Sequence, residues 1–404
     1  MADEFTELRD RLRRGEETAE QAVADRLALL RAADEQIGGV AFFEDARALA
    51  DARALDRAYA DSGPVGSLHG LPVTVKDWID VEGFPCAGET TDRDRRPARD
   101  ATVVARLRAA GAVVVAKTKP WGDVAHPLDS TRSVGGSSSG EAALVAAGAS
   151  VLGIGSDSGG SIRLPAAWAG VCGLRPTAGR VPNTGHHPRV GPRSDGRTVI
   201  GPLASSIEAL EHALAVLAGP DGRDPAAAPA PLLPSATVDL RGLRVAVTSG
   251  EAAPHVADAV RRAGAALVAA GAVEVGWEFD WLAPAWDITR RYWARAGWQT
   301  GLTGADVMRE LEDWDKYVYR YLTATAGIDL IVAPATADTA PLRTGAVGGE
   351  PFIHLLPASL VGAPALSIPV GTDAGGLPVG VQIVGRPWED HVVLAAGRAV
   401  ESTA

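Results

Sequence analysis

From Gly70 to its C-terminus the chain alternates short apolar runs with stretches of helical periodicity, and this alternation narrows its fold more than any other feature. LPVTVKD, AVVVA, SVLGIG, LRVAV, DLIVAPA, PALSIPVG and GVQIVG have the length and β-branched content of strands. Between them TVVARLRAAG, GEAALVAAG, IEALEHALAVLAG and VADAVRRAGAALVAAG repeat apolar residues at helical spacing, and a further helix is expected after Ser161. Strands separated by helices predict a layered α/β protein with a largely parallel or mixed sheet. Residues 1–62 read as helical, through AEQAVADRLALLRAADEQ and FFEDARALADARALDRAYA. The Pro- and Ala-rich stretch PDGRDPAAAPAPLLPSATVD, residues 220–239, is read as a surface loop rather than a linker, because the strands on both sides suit one sheet.

Charge and composition exclude several classes. A net charge of −11 over 404 residues argues against nucleic acid, whose binding rests on neutralising phosphates, and against an anionic membrane surface. The N-terminal MADEFTELRDRLRRGEE has no apolar core of a signal peptide, and the longest nearly apolar run, Ala142–Gly155, is too short to span a bilayer. Cys86 and Cys172 form neither a disulfide framework nor a zinc pattern, so a reduced, cytoplasmic setting without a metal is expected. Only four of the 39 basic residues are lysines, Lys76, Lys117, Lys119 and Lys316. A lysine in this chain is therefore more informative than usual.

The densest polar stretch is GSDSGGSIRLPA, Gly155–Ala166. Ser161 follows two glycines and precedes a helical segment, so backbone N–H groups of Ser158, Gly159, Gly160 and Ser161 are exposed beside it. Those groups suit a developing oxyanion, with Ser161 as nucleophile. They also suit a phosphate or a simple helix cap, although the stretch matches neither GxxxxGK[ST] nor GxGxxG. A serine nucleophile needs a base. None of the eight histidines sits in a motif with an orienting partner. Lys76 ends the run LPVTV, and a strand would carry it inward, where burial favours the neutral amine. The alternative is a lysine paired with Asp77 or Asp80. A third segment, VGGSSSGEAALVAAG, contains Ser138 and Glu141 at capping-box spacing. Its Gly136–Gly140 also fits G-x-S-x-G, but no strand precedes it, which argues against a nucleophile elbow.

These residues together resemble the amidase signature family. A strand-end lysine, a Gly-Gly-Ser-Ser segment and a Gly-rich serine before a helix are its marks, and 24 residues separate Ser137 from Ser161, as in that family. The likeness runs through GSLHGLPVTVKDWIDVEGFP, LRAAGAVVVAKTKP, GSDSGGSIRLPAAWAGVCGLRPTAGRVP, IGPLASSIEAL and VGAPALSIPVG…GGLPVGVQIVG. The resemblance implies a single large α/β domain over 1–404, with a mixed twisted central β-sheet covered by helices on both faces. Within it, 1–62 is the helical N-terminal segment, 63–220 the core and 240–404 the remainder. It implies a Ser–cis-Ser–Lys triad: Ser161 attacks the amide carbonyl, Ser137, joined to Gly136 by a cis bond, relays the proton, and neutral Lys76 is the base. Ser158, Gly159, Gly160 and Ser161 would form the oxyanion hole, with Asp157, Arg163 and Ser138 as supports. No cofactor or metal is implied.

The implied function is an amidohydrolase acting on a small-molecule amide, with no nucleic-acid or membrane partner; a homodimer is compatible with it. Alternatives are the glutamine-hydrolysing component of a tRNA-dependent amidotransferase, an acyltransferase or biosynthetic amide-forming member, and a non-catalytic binding protein on the same scaffold. Departures from the family pattern fall at Ser139, Lys119, His126 and Ser359, and bear on the acyl pocket. Five tryptophans, at 277, 281, 286, 293 and 298, are read as core or as pocket lining. Loop 184–198, with His186, His187, Arg189, Arg193 and Arg197, is read as a solvated loop or a contact for a polar substrate group.

Overall fold

A computed structural model describes residues 4–88, 94–191, 195–277, 281–296, 301–344 and 348–403. Eleven strands among them form one sheet. They are β1 (Val40–Phe43), β2 (Pro72–Lys76), β3 (Val113–Thr118), β4 (Gly153–Asp157), β5 (Cys172–Arg175), β6 (Val199–Ala204), β7 (Arg244–Val247), β8 (Val273–Val275), β9 (Leu330–Pro334), β10 (Ala365–Thr372) and β11 (Pro378–Gly385). Their order is β1-β3-β2-β4-β6-β5-β10-β11-β9-β7-β8. β3, β2 and β4 run parallel, as do β9, β7 and β8, and antiparallel pairs join the two groups. The sheet is thus mixed, in one α/β domain. β6 and β7 share it across residues 205–243, so the Pro- and Ala-rich stretch is a loop within the domain.

The period of two decides which side chains meet the catalytic face. In β2, Val73 and Val75 join the larger apolar core, with the helices Thr102–Ala109, Ile207–Leu217, Pro254–Ala269 and Asp390–Glu401. Thr74 and Lys76 therefore point to the other face, toward the helix Ser139–Ala146. β3 alternates likewise: Val114 joins the first core and Val113 and Val115 the second. Every residue of β2, β3 and β4 is buried, as expected of strands covered on both faces.

Local signals set the helix ends. Thr18 caps Ala19–Ile37 by accepting the Gln21 N–H at 3.1 Å, and Gly38 ends it at φ 65°. Thr303 and Asp306 form a reciprocal capping box on Gly304–Ala324. The capping box expected at Ser138 and Glu141 does not form. The Ser138 hydroxyl instead donates to the Ser156 carbonyl at 3.2 Å and accepts the Ser156 N–H at 3.3 Å, while Glu141 turns to Thr74 and Thr118. Both groups are buried, where the sheet offers closer partners than the helix end.

Candidate active site

Lys76 ends β2 with no exposed surface, and its Nζ donates to Ser137 Oγ at 2.6 Å and to Ser156 Oγ at 3.0 Å. It also lies 4.0 Å from the Trp78 ring centroid. The residues offered as alternative partners are engaged elsewhere: Asp77 lies 3.6 Å from Lys117 and Asp80 is 2.7 Å from Arg95. Ser137 sits in the bend before the helix Ser139–Ala146. Gly135 and Gly136 make this bend at φ 65° and 64°. A Cβ on Gly136 would lie 2.6 Å from Pro165 Cδ, so only glycine allows this approach to the nucleophile segment. The cis Gly136–Ser137 bond expected from the family is absent: the cis bond among the described residues is His187–Pro188.

Ser161 faces Ser137 from the loop after β4. The Ser138 N–H donates to the Ser161 carbonyl at 3.2 Å, and the Cβ position of Gly136 is 3.5 Å from Ser161 Cα. Ser137 is thus flanked by two residues that each touch Ser161. Ser161 Oγ makes no hydrogen bond among the described residues. Lys76 and Ser137 are directly bonded, and Ser161 is held beside them through backbone contacts.

Asp157, at the end of β4, organises the nucleophile loop. Its carboxylate accepts from Gly160 N–H at 2.8 Å, Ile162 N–H at 3.3 Å, Arg163 at 3.0 and 3.1 Å, and Arg175 at 3.1 Å. Burial alone would raise its pKa, but the Arg163 and Arg175 charges and the N–H groups hold it well below the usual carboxylate range. The expected Asp157–Arg163 ion pair is present, with Arg175 as a second cation. Arg163 also donates to Ser359 Oγ at 2.8 Å and Gln382 Oε1 at 3.0 Å. Of the four expected oxyanion donors, Gly160 spends its N–H on Asp157. The N–H groups of Ser158, Gly159 and Ser161 have no partner among the described residues. The helix that follows, Arg163–Ala169, has only seven residues, so local N–H groups matter more here than a helix dipole.

Behind Lys76 lies a partner that the sequence did not disclose. His186 is buried, and its Nε2 is 3.1 Å from Ser156 Oγ while its Nδ1 is 2.9 Å from the Pro188 carbonyl. Burial, with the Lys76 charge, pushes its pKa down to about 4, so the ring is neutral at pH 7. A carbonyl only accepts, so Nδ1 carries the proton and Nε2 accepts from the Ser156 hydroxyl. Loop 184–198 is therefore not simply solvated: His186 and Arg197 are buried and Arg189 is exposed, while Arg193 lies outside the described residues.

The tryptophans divide. Trp277 and Trp281 pack edge-on against Tyr321 and Tyr317 in the core. Trp286 and Trp293 meet edge-on at 5.9 Å, and Trp293 Cζ2 lies 3.1 Å from the Cβ position of Gly159, beside the nucleophile loop. Trp298 lies outside the described residues. Among the family departures, His126 Nε2 bonds the Trp168 carbonyl at 2.8 Å, and the buried Ser139 hydroxyl has no hydrogen-bond partner.

A mixed α/β sheet with a buried lysine and serines at its central strand ends defines a hydrolase of the serine–lysine type, and comparison with known proteins specifies it further. The profile of the family described as Amidase matches residues 21–325 and 303–394. AtzE, a component of 1-carboxybiuret hydrolase from Pseudomonas sp., is 31% identical, covering 96% of each chain. GatA-type glutamyl-tRNA(Gln) amidotransferase from Chlorobium luteolum is 30% identical, covering 98% of this chain and 96% of its own. The peptide amidase PAM, solved with chymostatin, superposes with a TM-score of 0.87 at 26% identity, covering 98% of this chain and 96% of that one. The chain belongs to the amidase family and is a hydrolase of amide C–N bonds. No helix among the described residues is long and apolar enough to cross a membrane.

Proposed function

We propose that the protein hydrolyses the amide of a small molecule through an acyl-enzyme on Ser161, with Ser137 as proton relay and Lys76 as base. The observation that carries this reading is the 2.6 Å contact between Lys76 Nζ and Ser137 Oγ, buried beside Ser161. A neutral amine has two N–H bonds and one lone pair. Ser156, whose own proton goes to His186, accepts one N–H, and the Trp78 face takes the other. The lone pair is left for the Ser137 hydroxyl. Ser161 Oγ then attacks the carbonyl carbon as its proton passes to Ser137 Oγ and the Ser137 proton to Lys76 Nζ. The N–H groups of Ser158, Gly159 and Ser161 hold the oxyanion. Collapse breaks the C–N bond, and the leaving amine takes its proton back through Ser137. Water repeats the attack and frees the acid. The two cysteines, free and buried, are consistent with work in the cytoplasm.

A screen of primary amides, anilides, esters and glutamine, run beside Ser161→Ala, tests the reading. Hydrolysis of at least one amide, lost in the variant, is expected; equal hydrolysis by both proteins contradicts it. A second reading, the glutamine-hydrolysing component of a tRNA-dependent amidotransferase, draws support from the amidotransferase relatives at 30 to 33% identity. Ammonia release from glutamine in preference to other amides, with a second protein co-purifying, would favour it.

A further inference from the structure

Arg197 brings a cation to the site for which the hydrolytic steps have no use. It has no exposed surface, and its Nε donates to the Ser158 carbonyl at 2.8 Å. Its guanidinium lies 4.6 Å from the Tyr292 ring centroid and 5.8 Å from that of Trp314. Both terminal nitrogens, Nη1 and Nη2, are buried without a hydrogen-bond partner. Buried donors left unpaired are rare and call for a reason. The neighbouring arginines are different. Arg163 commits all three nitrogens, and Arg175 binds through both terminal ones, leaving only its Nε unpaired.

The open fork also faces a telling place. Nη2 lies 3.3 Å from the Cβ position of Gly159, and Trp293 and Leu356 approach the same point at 3.1 and 3.4 Å. Gly159 offers one of the uncommitted N–H groups of the nucleophile loop. Nearby carboxylates do not occupy the fork: Asp157 is held by two other arginines, and Asp195 accepts from the Thr198 hydroxyl and the Arg197 main-chain N–H. Glu310, on the helix Gly304–Ala324, contributes at longer range. The leaving amine must sit on the Ser137 side of Ser161, where it receives its proton. A group beside Gly159 therefore belongs to the acyl half of the substrate.

We propose that Arg197 is a specificity-determining residue that binds a carboxylate at the far end of the acyl chain, so that the preferred substrates are monoamides of dicarboxylic acids. A planar fork with two free N–H-bearing ends matches a carboxylate in two-point contact, and the aromatic walls keep the pair dry. This rests on the amidase reading, since it assigns the acyl half from the side on which the amine leaves.

The test is calorimetric titration of the Ser161→Ala protein with malonamate, succinamate and glutaramate, each against its uncharged counterpart propanamide, butanamide or pentanamide. At least one carboxylate-bearing amide should bind ten times or more tighter than its counterpart, and Arg197→Gln in the same background should remove that advantage. Arg197→Lys, which keeps the charge but not the fork, should retain only part of it. No advantage for any carboxylate, or equal weakening of both members of a pair in Arg197→Gln, overturns the proposal. The first of these outcomes is read without the Arg197 variants, so poor folding of a variant leaves the proposal open to refutation. Turnover of the same pairs by the unaltered enzyme is read separately: binding that discriminates without cleavage would leave the anion site standing and remove the hydrolase reading for these amides.

Discussion

Lys76 Nζ and His186 Nε2 meet at one atom, with Ser156 Oγ 3.0 Å from the first and 3.1 Å from the second. The direction of these bonds is fixed by the Pro188 carbonyl at the far end, which forces the proton onto Nδ1. His186 thus turns the Ser156 hydroxyl away from Lys76 and leaves the amine to face Ser137. His186→Ala should lower kcat about tenfold, the worth of one hydrogen bond, with KM little changed. His186→Gln, whose amide oxygen accepts the same proton, should restore most of the rate. Equal losses in both variants would reduce His186 to packing.

The same histidine makes stability depend on pH. Its pKa falls from an ordinary 6.5 to about 4 on folding, so the unfolded chain binds the proton more readily. Its contribution, about 3 kcal/mol at most, is fully present above pH 6.5 and is lost as pH falls toward 4. Urea unfolding at pH 7.5 and pH 5 should show a smaller acid loss in His186→Gln than in the parent protein. Equal losses would contradict burial of a neutral ring.

Glu141 runs in the opposite sense. Buried between the Thr74 and Thr118 hydroxyls, it is pushed up to about 8. A carboxyl with a raised pKa stabilises fully below its unfolded value of 4.5 and loses that stabilisation as pH rises to 8. Glu141→Gln, nearly the same shape, should be more stable than the parent at pH 9, with the gain shrinking toward pH 5. A variant less stable at pH 9 would show that the carboxylate is needed charged.

Asp157 ties the nucleophile loop to two buried arginines. Asp157→Asn leaves Arg163 and Arg175 facing a neutral group, and breaking such a buried pair costs about 3–5 kcal/mol. Denaturant unfolding should show a loss of that size. A loss below about 1 kcal/mol would mean that Arg163 and Arg175 find other partners.

How much of this was readable in the chain follows from where each signal is stored. β2 and Lys76 were legible because strand alternation is local: two valines on one face put the lysine on the other. The Asp157–Arg163 pair lay within one short stretch. β5 and β6 went unread because CGLR is short and VIGPLA carries a glycine and a proline, which weaken the strand pattern. His186 and Arg197 were hidden because TGHHPRVGPRSDGRT is polar throughout, and polarity alone does not show that a loop folds back over the catalytic face. Glu141 was misread as a capping partner because spacing records what a side chain can reach, not which partner lies closer. Ser156, beside the nucleophile loop in the same quoted stretch, carried no signal that its hydroxyl would bridge Lys76 and His186.

The central claim is that Lys76 activates Ser161 through Ser137, and covalent labelling by a fluorophosphonate reads it without knowledge of the substrate. The account predicts that mass spectrometry finds the label on Ser161, and that Lys76→Ala slows labelling by about 10²–10⁴, the range for loss of a general base. Labelling at an undiminished rate in Lys76→Ala, or at a residue other than Ser161, would contradict it.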